Sequence, residues 1–172
     1  EESFDFDVLV YATGFDVMTG AFDKIDIRGA DGQRLKEKWQ GSPTTYLGVM
    51  VNGFPNMLMV AGPQSVSGST NYPRAIEVCV DWIGDLLGHA RAGGLSRLEA
   101  GVDAEATWTQ EVIDMQEVMP FSKVKSWFTG FNSNVQAADA APRYIAYWGG
   151  APRYTKILNQ VSSEGYRDIN MD

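Results

Sequence analysis

Apolar positions along this 172-residue chain follow the helical period in three places and collect into short unbroken runs elsewhere. After residue 71, Ile76, Cys79, Val80, Ile83, Leu86, Leu87 and Ala90 recur at helical spacing. That pattern predicts an amphipathic helix with one buried face. Thr70 or Asn71 supplies its N-cap, Pro73 suits the first turn, Glu77 lies near the positive end, and Gly93-Gly94 stops it. Asp103 reads as the N-cap of a second helix that buries Trp108, Val112 and Met115 and ends by Pro120. A third helix is expected over residues 152–164, with Tyr154, Ile157, Leu158 and Val161 inward and Gly165 as terminator.

The strand signals are shorter. Residues 6–12 contain a short, unbroken apolar run with β-branched Val8 and Val10, as in a parallel strand covered on both faces. Residues 57–61 read as a second buried strand, after a turn at Gly53-Phe54-Pro55-Asn56. Ile25 and Ile27 suggest a half-exposed strand before a turn at residues 30–33, and residues 97–100 and 143–148 suggest two more. Irregular residues 39–48 carry Trp39 and Tyr46 and are expected to pack against the body. A strand, a Gly/Ser-rich loop and a helix in succession describe an α/β fold, whose ligands sit beyond strand ends beside helix N-termini. The site is therefore expected at residues 62–72.

Composition narrows the function classes. Hydrophobic residues make up 44% and aromatic residues 12%, which suits one packed domain. A net charge of −8 leaves no basic stripe to replace phosphate counterions, so no nucleic-acid partner is expected. No run approaches the roughly 18 apolar residues of a membrane span. The acidic opening lacks a charged, apolar leader, and a cytoplasmic location is expected. It also lacks an initiating methionine, so residue 1 reads as a position inside a longer protein.

Cys79 is the one cysteine and falls on the apolar helix face, as a core filler does. His89 is the one histidine, so neither a soft-metal cluster nor a Ser-His-Asp triad has its parts. Gly14 and Gly62 follow strand-like runs and suit either plain turns or close ligand approach. The serines of residues 64–70 are either solvated or face a partly negative ligand at the helix start. Trp127, in the polar loop Ser126-Trp127-Phe128-Thr129-Gly130, is either a loop anchor or a ligand contact. Gly-x-Gly-x-x-Gly and P-loop motifs are missing, and so is any complete catalytic constellation.

An ordered set of segments resembles the flavin-dependent Baeyer–Villiger monooxygenases, most closely the phenylacetone and steroid monooxygenase branch. The pieces are Ala12-Thr13-Gly14-Phe15-Asp16, Lys24-Ile25-Asp26-Ile27-Arg28-Gly29, Leu35-Lys36-Glu37-Lys38-Trp39, Thr45-Tyr46-Leu47-Gly48, Gly53-Phe54-Pro55-Asn56, Ala61-Gly62-Pro63 and Ser126-Trp127-Phe128-Thr129-Gly130. Arg143-Tyr144 and Gly149-Gly150 extend it. The resemblance implies the C-terminal half of a Rossmann-like FAD-binding domain in a two-dinucleotide-binding-domain flavoprotein, incomplete on its own. Residues 1–15 would return from the NADPH domain to the FAD domain, and residues 16–172 would complete the latter.

The implied partners are the N-terminal remainder of the enzyme, FAD, NADP(H), O2 and a ketone, which becomes an ester or lactone through a flavin peroxide. Catalytic residues would lie in that remainder. The resemblance puts Thr13 and Gly14 at the inter-domain turn near the cofactors, Asn71 and Tyr72 at the flavin pyrimidine edge, and Trp127 on a loop closing over NADP. Ser67, Gly68, Ser69 and Thr70 match the substrate-pocket loop. The alternatives are a non-catalytic fragment or interaction module, and a related flavin monooxygenase acting on nitrogen or sulfur.

Overall fold

Helix α3 (Tyr72–Gly93) is the longest element of the structure, a computed structural model that describes residues 3–12, 16, 18–65, 70–131 and 140–172. Asn71 caps it: its side-chain oxygen accepts the Arg74 N–H at 3.2 Å. Gly94 closes it in the left-handed conformation, φ +67°. The buried face is Ala75, Cys79, Trp82, Leu86 and Ala90. Of the apolar positions expected inward, Val80 and Leu87 remain 47% and 48% exposed. Apolar residues cover two adjacent arcs of α3, and the arc carrying Trp82 faces the core. Its indole Nε1–H donates to Leu158 O at 3.0 Å, so this arc offers both the largest ring and a hydrogen bond to α5.

Helix α4 (Val102–Glu117) starts two residues earlier than expected, with Gly101 rather than Asp103 as N-cap, so Asp103 and Glu105 both lie in the first turn. Carboxylates there face the positive end of the helix dipole. Glu105, Trp108, Val112 and Gln116 form its buried face, and Met115 is half-buried. Helix α5 (Ala151–Ser163) buries Tyr154, Leu158 and Val161, packs on α3, and is followed by Gly165 at φ +73°. Strand β1 (Leu98–Ala100) pairs antiparallel with β2 (Ile169–Met171), Glu99 facing Asn170. One core joins these elements. A smaller one gathers Leu35, Trp39, Val51, Phe54 and Met59 beside the single-turn helices α1 (Gly20–Asp23) and α2 (Leu35–Lys38).

Side-chain hydrogen bonds tie the second core to α4. The buried Glu105 carboxylate meets Lys38 Nζ at 2.8 Å, the Thr44 hydroxyl at 3.1 Å and the Asn52 N–H at 2.6 Å. Asn52 Nδ2 donates to Ala100 O at 2.8 Å, and Gly53 N–H donates to Glu99 Oε1 at 2.8 Å.

Four expected strands are not formed. Residues 6–12 form no strand and are exposed, Val8 being 76% and Val10 78% accessible. In residues 57–61 the Met59 N–H donates to Val49 O at 2.8 Å, but Ala61 turns to φ +53°. Ile25 and Ile27 are followed only by the isolated Arg28–Arg34 bridge, around the expected turn in which Gly32 N–H donates to Gly29 O at 3.0 Å. Residues 143–148 make single bonds rather than a ladder. A strand persists through a row of paired N–H and C=O groups, and the described residues supply such rows only to β1 and β2. No helix among them is long and apolar enough to cross a membrane.

Candidate functional site

Two chain segments cross just before α3, and glycine makes the crossing possible. Leu47 (φ +58°) and Gly48 (φ +68°) form a tight turn closed by Val49 N–H to Tyr46 O at 3.0 Å. A Cβ on Gly48 would stand 2.4 Å from Ser65 N, and one on Gly62 would stand 2.6 Å from Gly48 O. Neither position has room for a side chain. The segment from Gly62 to Ser65 is thereby laid directly across the Leu47-Gly48 turn.

Gln64 holds that crossing. It is fully buried and sits at φ +65°, a conformation that non-glycine residues seldom adopt. Its Oε1 accepts from the Thr45 N–H at 3.1 Å and lies near the hydroxyls of Thr45 (2.9 Å) and Thr109 (3.3 Å). Its Nε2 donates to Pro43 O at 2.7 Å and approaches Tyr144 O at 3.3 Å. The backbone adds Gln64 N–H to Ile145 O and Tyr147 N–H to Ser65 O, both 2.9 Å. Ser65 Oγ is buried with no hydrogen-bond partner among the described residues. Sequence reasoning did not single out Gln64 or Thr45. A polar residue after Gly62-Pro63 reads as solvated loop, and no local signal marks it as buried.

Thr70 is half-buried, and Asn71 and Tyr72 are exposed at the start of α3. Pro73 carries no N–H and the Arg74 N–H is taken by Asn71, so this helix start offers fewer free donors than most. Thr13, Gly14, Ser67, Gly68 and Ser69 lie outside the described residues.

Trp127 opens a 3-10 turn, Trp127–Thr129, and is 51% exposed. Thr129 anchors that turn: it is buried, its Oγ1 accepts the Ser126 N–H at 3.1 Å, and its carbonyl accepts the Arg143 N–H at 2.8 Å. Phe128 packs on Phe121 and Trp148, with ring centroids 5.4 and 5.7 Å away. The anchor of this loop is thus Phe128 with Thr129, and the Trp127 indole is left facing outward. Among the described residues, no hydrogen bond or ring contact joins Trp127 to Asn71 or Tyr72.

Burial pushes the Tyr147 hydroxyl up to about 12, and raises the Cys79 thiol and the Tyr154 hydroxyl. Tyr154 donates to Leu47 O at 2.6 Å, which pins the tight turn to α5. These groups stay protonated at neutral pH: Tyr154 and Cys79 donate hydrogen bonds, and the Tyr147 hydroxyl is buried with no partner among the described residues. A cleft of about 340 Å³ between α4 and α5 is lined by Asp103, Glu111, Glu164, Arg167 and Asp168. A second, of about 610 Å³, is lined by Asp23, Lys36, Trp39, Ser42 and Arg143. Neither includes residues 62–72. No metal-ligating cluster occurs among the described residues.

Nearly the whole chain superposes on part of known flavoproteins. The structure of cyclohexanone monooxygenase from Rhodococcus sp. Phi1 bound to NADP+ matches with a TM-score of 0.89 and 36% identity, over 98% of this chain and 31% of that one. The structure of OTEMO in complex with FAD and NADP matches at 0.87 and 31%, over 99% and 30%. The architecture is therefore that of part of a two-dinucleotide-binding flavoprotein.

Two relatives agree in sequence. The phenazine N-monooxygenase PhzNO1 of Lysobacter antibioticus is 38% identical over 93% of this chain and 28% of its own length. The cyclopentanone 1,2-monooxygenase of Comamonas sp. is 34% identical over 97% and 30%. No protein-family model matches. The chain is thus similar to one part of Baeyer–Villiger monooxygenases and spans about 30% of the length of these relatives.

The residues present suit one edge of a flavin site: an exposed, polar start to α3. They do not suit the pyrophosphate end, since no dinucleotide glycine fingerprint occurs in the sequence.

Proposed function

We propose that this chain supplies one wall of the active site of an FAD- and NADPH-dependent monooxygenase that oxidises ketones to esters or lactones. One oxygen atom of O2 enters the bond beside the carbonyl, the other leaves as water, and NADPH provides two electrons. The observation that carries this reading is the TM-score of 0.89 to a ketone monooxygenase over 98% of the chain. When bound, FAD supplies the oxygen chemistry, and the protein's share is orientation, electrostatics and exclusion of water.

In this proposal Asn71 and Tyr72 border the flavin pyrimidine edge, where the Tyr72 N–H and the N-terminal dipole of α3 favour negative charge. Ser67, Gly68, Ser69 and Thr70 line the ketone pocket, and Trp127 closes over NADP. Its exposed indole on an anchored turn supports that last role. Thr13 and Gly14 form the inter-domain turn. Residues 1–15 return from the NADPH domain and residues 16–172 complete the FAD domain. The remaining two-thirds of the enzyme carries the nucleotide fingerprints and the catalytic residues.

A second reading, oxygen transfer to an aromatic nitrogen, is favoured by the 38% identity to a phenazine N-monooxygenase. Both are tested by combining this chain with the remainder of the enzyme, FAD and NADPH. Yellow colour, ketone-dependent NADPH oxidation and ester formation are expected. N-oxide formation without ester would favour the second reading, and no oxygenated product with either substrate would overturn both.

A further inference from the structure

We propose that the outer apolar stripe of α3 is the face on which the remainder of the enzyme docks, a proposal that rests on the monooxygenase reading. Helix α3 carries two apolar stripes. The first, Ala75, Cys79, Trp82, Leu86 and Ala90, is buried in the core. The second, Ile76, Val80, Ile83 and Leu87, advances by four, three and four residues, which keeps it on one side of a helix with 3.6 residues per turn. Ile76 and Ile83 are half-buried, and Val80 and Leu87 are 47% and 48% exposed. A lone exposed valine is ordinary, but a second apolar stripe along one 22-residue helix marks an element covered from two sides.

Gly84 points the same way. It stands four residues after Val80 and three before Leu87, so it borders the second stripe. Its backbone is ordinary helix, and a Cβ there would meet nothing within 4 Å in this chain. Glycine weakens a helix interior relative to alanine, and nothing in this chain offsets that loss. A partner backbone lying close against the stripe supplies the reason. The occupant is the remainder of the enzyme: this chain superposes over 98% of its length on a relative of which it makes up 31%. Two other occupants fit poorly. Glu77 and Asp81 flank the stripe, which repels an anionic lipid surface, and a second copy of α3 would set the same carboxylates against each other.

The test uses the FAD-loaded whole enzyme carrying Leu87→Cys or, as a control on the polar side of α3, Asp85→Cys. Maleimide labelling of the native enzyme is followed at the α3 peptide by mass spectrometry, each rate being divided by that of the same variant in denaturant. Both positions are exposed in this chain, yet Leu87→Cys should label roughly tenfold more slowly or less, with a ratio that does not change on dilution. Equal rates would overturn the proposal. Protection that fades on dilution would assign the face to a second copy and overturn it as well. Gly84→Ala should lower the thermal midpoint of the whole enzyme; a rise, the usual effect of that change in an open helix, would overturn the close approach. Wild-type enzyme that oxidises no ketone would instead sink the monooxygenase reading, and the labelling ratio would still decide the docking face.

Discussion

Removing the Glu105 carboxylate should cost more than removing any other single charge among the described residues. The side chains of Glu105 and Lys38 are 10% and 17% exposed, and their charged atoms are 2.8 Å apart. Glu105→Ala leaves the Lys38 ammonium, the Thr44 hydroxyl and the Asn52 N–H without their shared acceptor. Breaking a buried pair from one side costs about 3–5 kcal/mol. Residual solvent contact around Lys38 argues for the lower end, about 3 kcal/mol. For a domain of this size that corresponds to a fall in Tm of roughly 6–12 °C.

The reverse design sharpens the test. Replacing both partners, as in Lys38→Met with Glu105→Leu, removes the unpaired charge and should recover most of the loss, because the desolvation penalty goes with the attraction. Thermal and urea unfolding of the two single variants and the double variant complete the cycle, with a coupling of about 1–3 kcal/mol expected. A Glu105→Ala loss below about 0.5 kcal/mol, the range of an exposed pair, would refute the claim that this network joins α4 to the second core.

Gly48→Ala should destabilise by roughly 2 kcal/mol or more, since the added Cβ meets the Ser65 backbone 2.4 Å away and φ is positive; urea midpoints check it. Cys79 should resist thiol-specific reagents until the protein unfolds, because it is buried and its thiol is raised by burial; the labelling rate against denaturant measures this. The Arg97 hydrogen bond, aided by the Gly53 N–H, holds the Glu99 carboxyl below its ordinary value. Its stabilisation is present above the ordinary carboxylate pKa and lost as pH falls through the folded value. Glu99→Gln should therefore flatten the acid limb of stability against pH.

The three helices could be read from the chain because their signals are local. Helical periodicity over many residues, Asn71 as cap, and Gly94 and Gly165 as stops lie within a few residues of the structure they set. Turns at residues 30–33 and 53–56, and the packing role of Cys79, Trp82 and Trp108, were equally accessible. The family resemblance was also carried by ordered short segments, so it needed no coordinates.

Tertiary structure decided the rest. The arc of α3 that faces inward depends on Trp82 meeting Leu158, a partner 76 residues away. Glu105 and Gln64 have the composition of surface residues, and only the segments folded around them make them buried hubs. The run at residues 6–12 has the pattern of a buried strand, but a strand is completed by neighbours that its own residues do not encode. Residues 62–65, which open the segment expected as a generic ligand edge, take their shape from a glycine crossing and a buried amide. Periodicity and capping act over one or two turns of chain and are written in sequence order. Burial of a polar group and pairing of a strand are contacts between distant segments, and only the folded arrangement determines them.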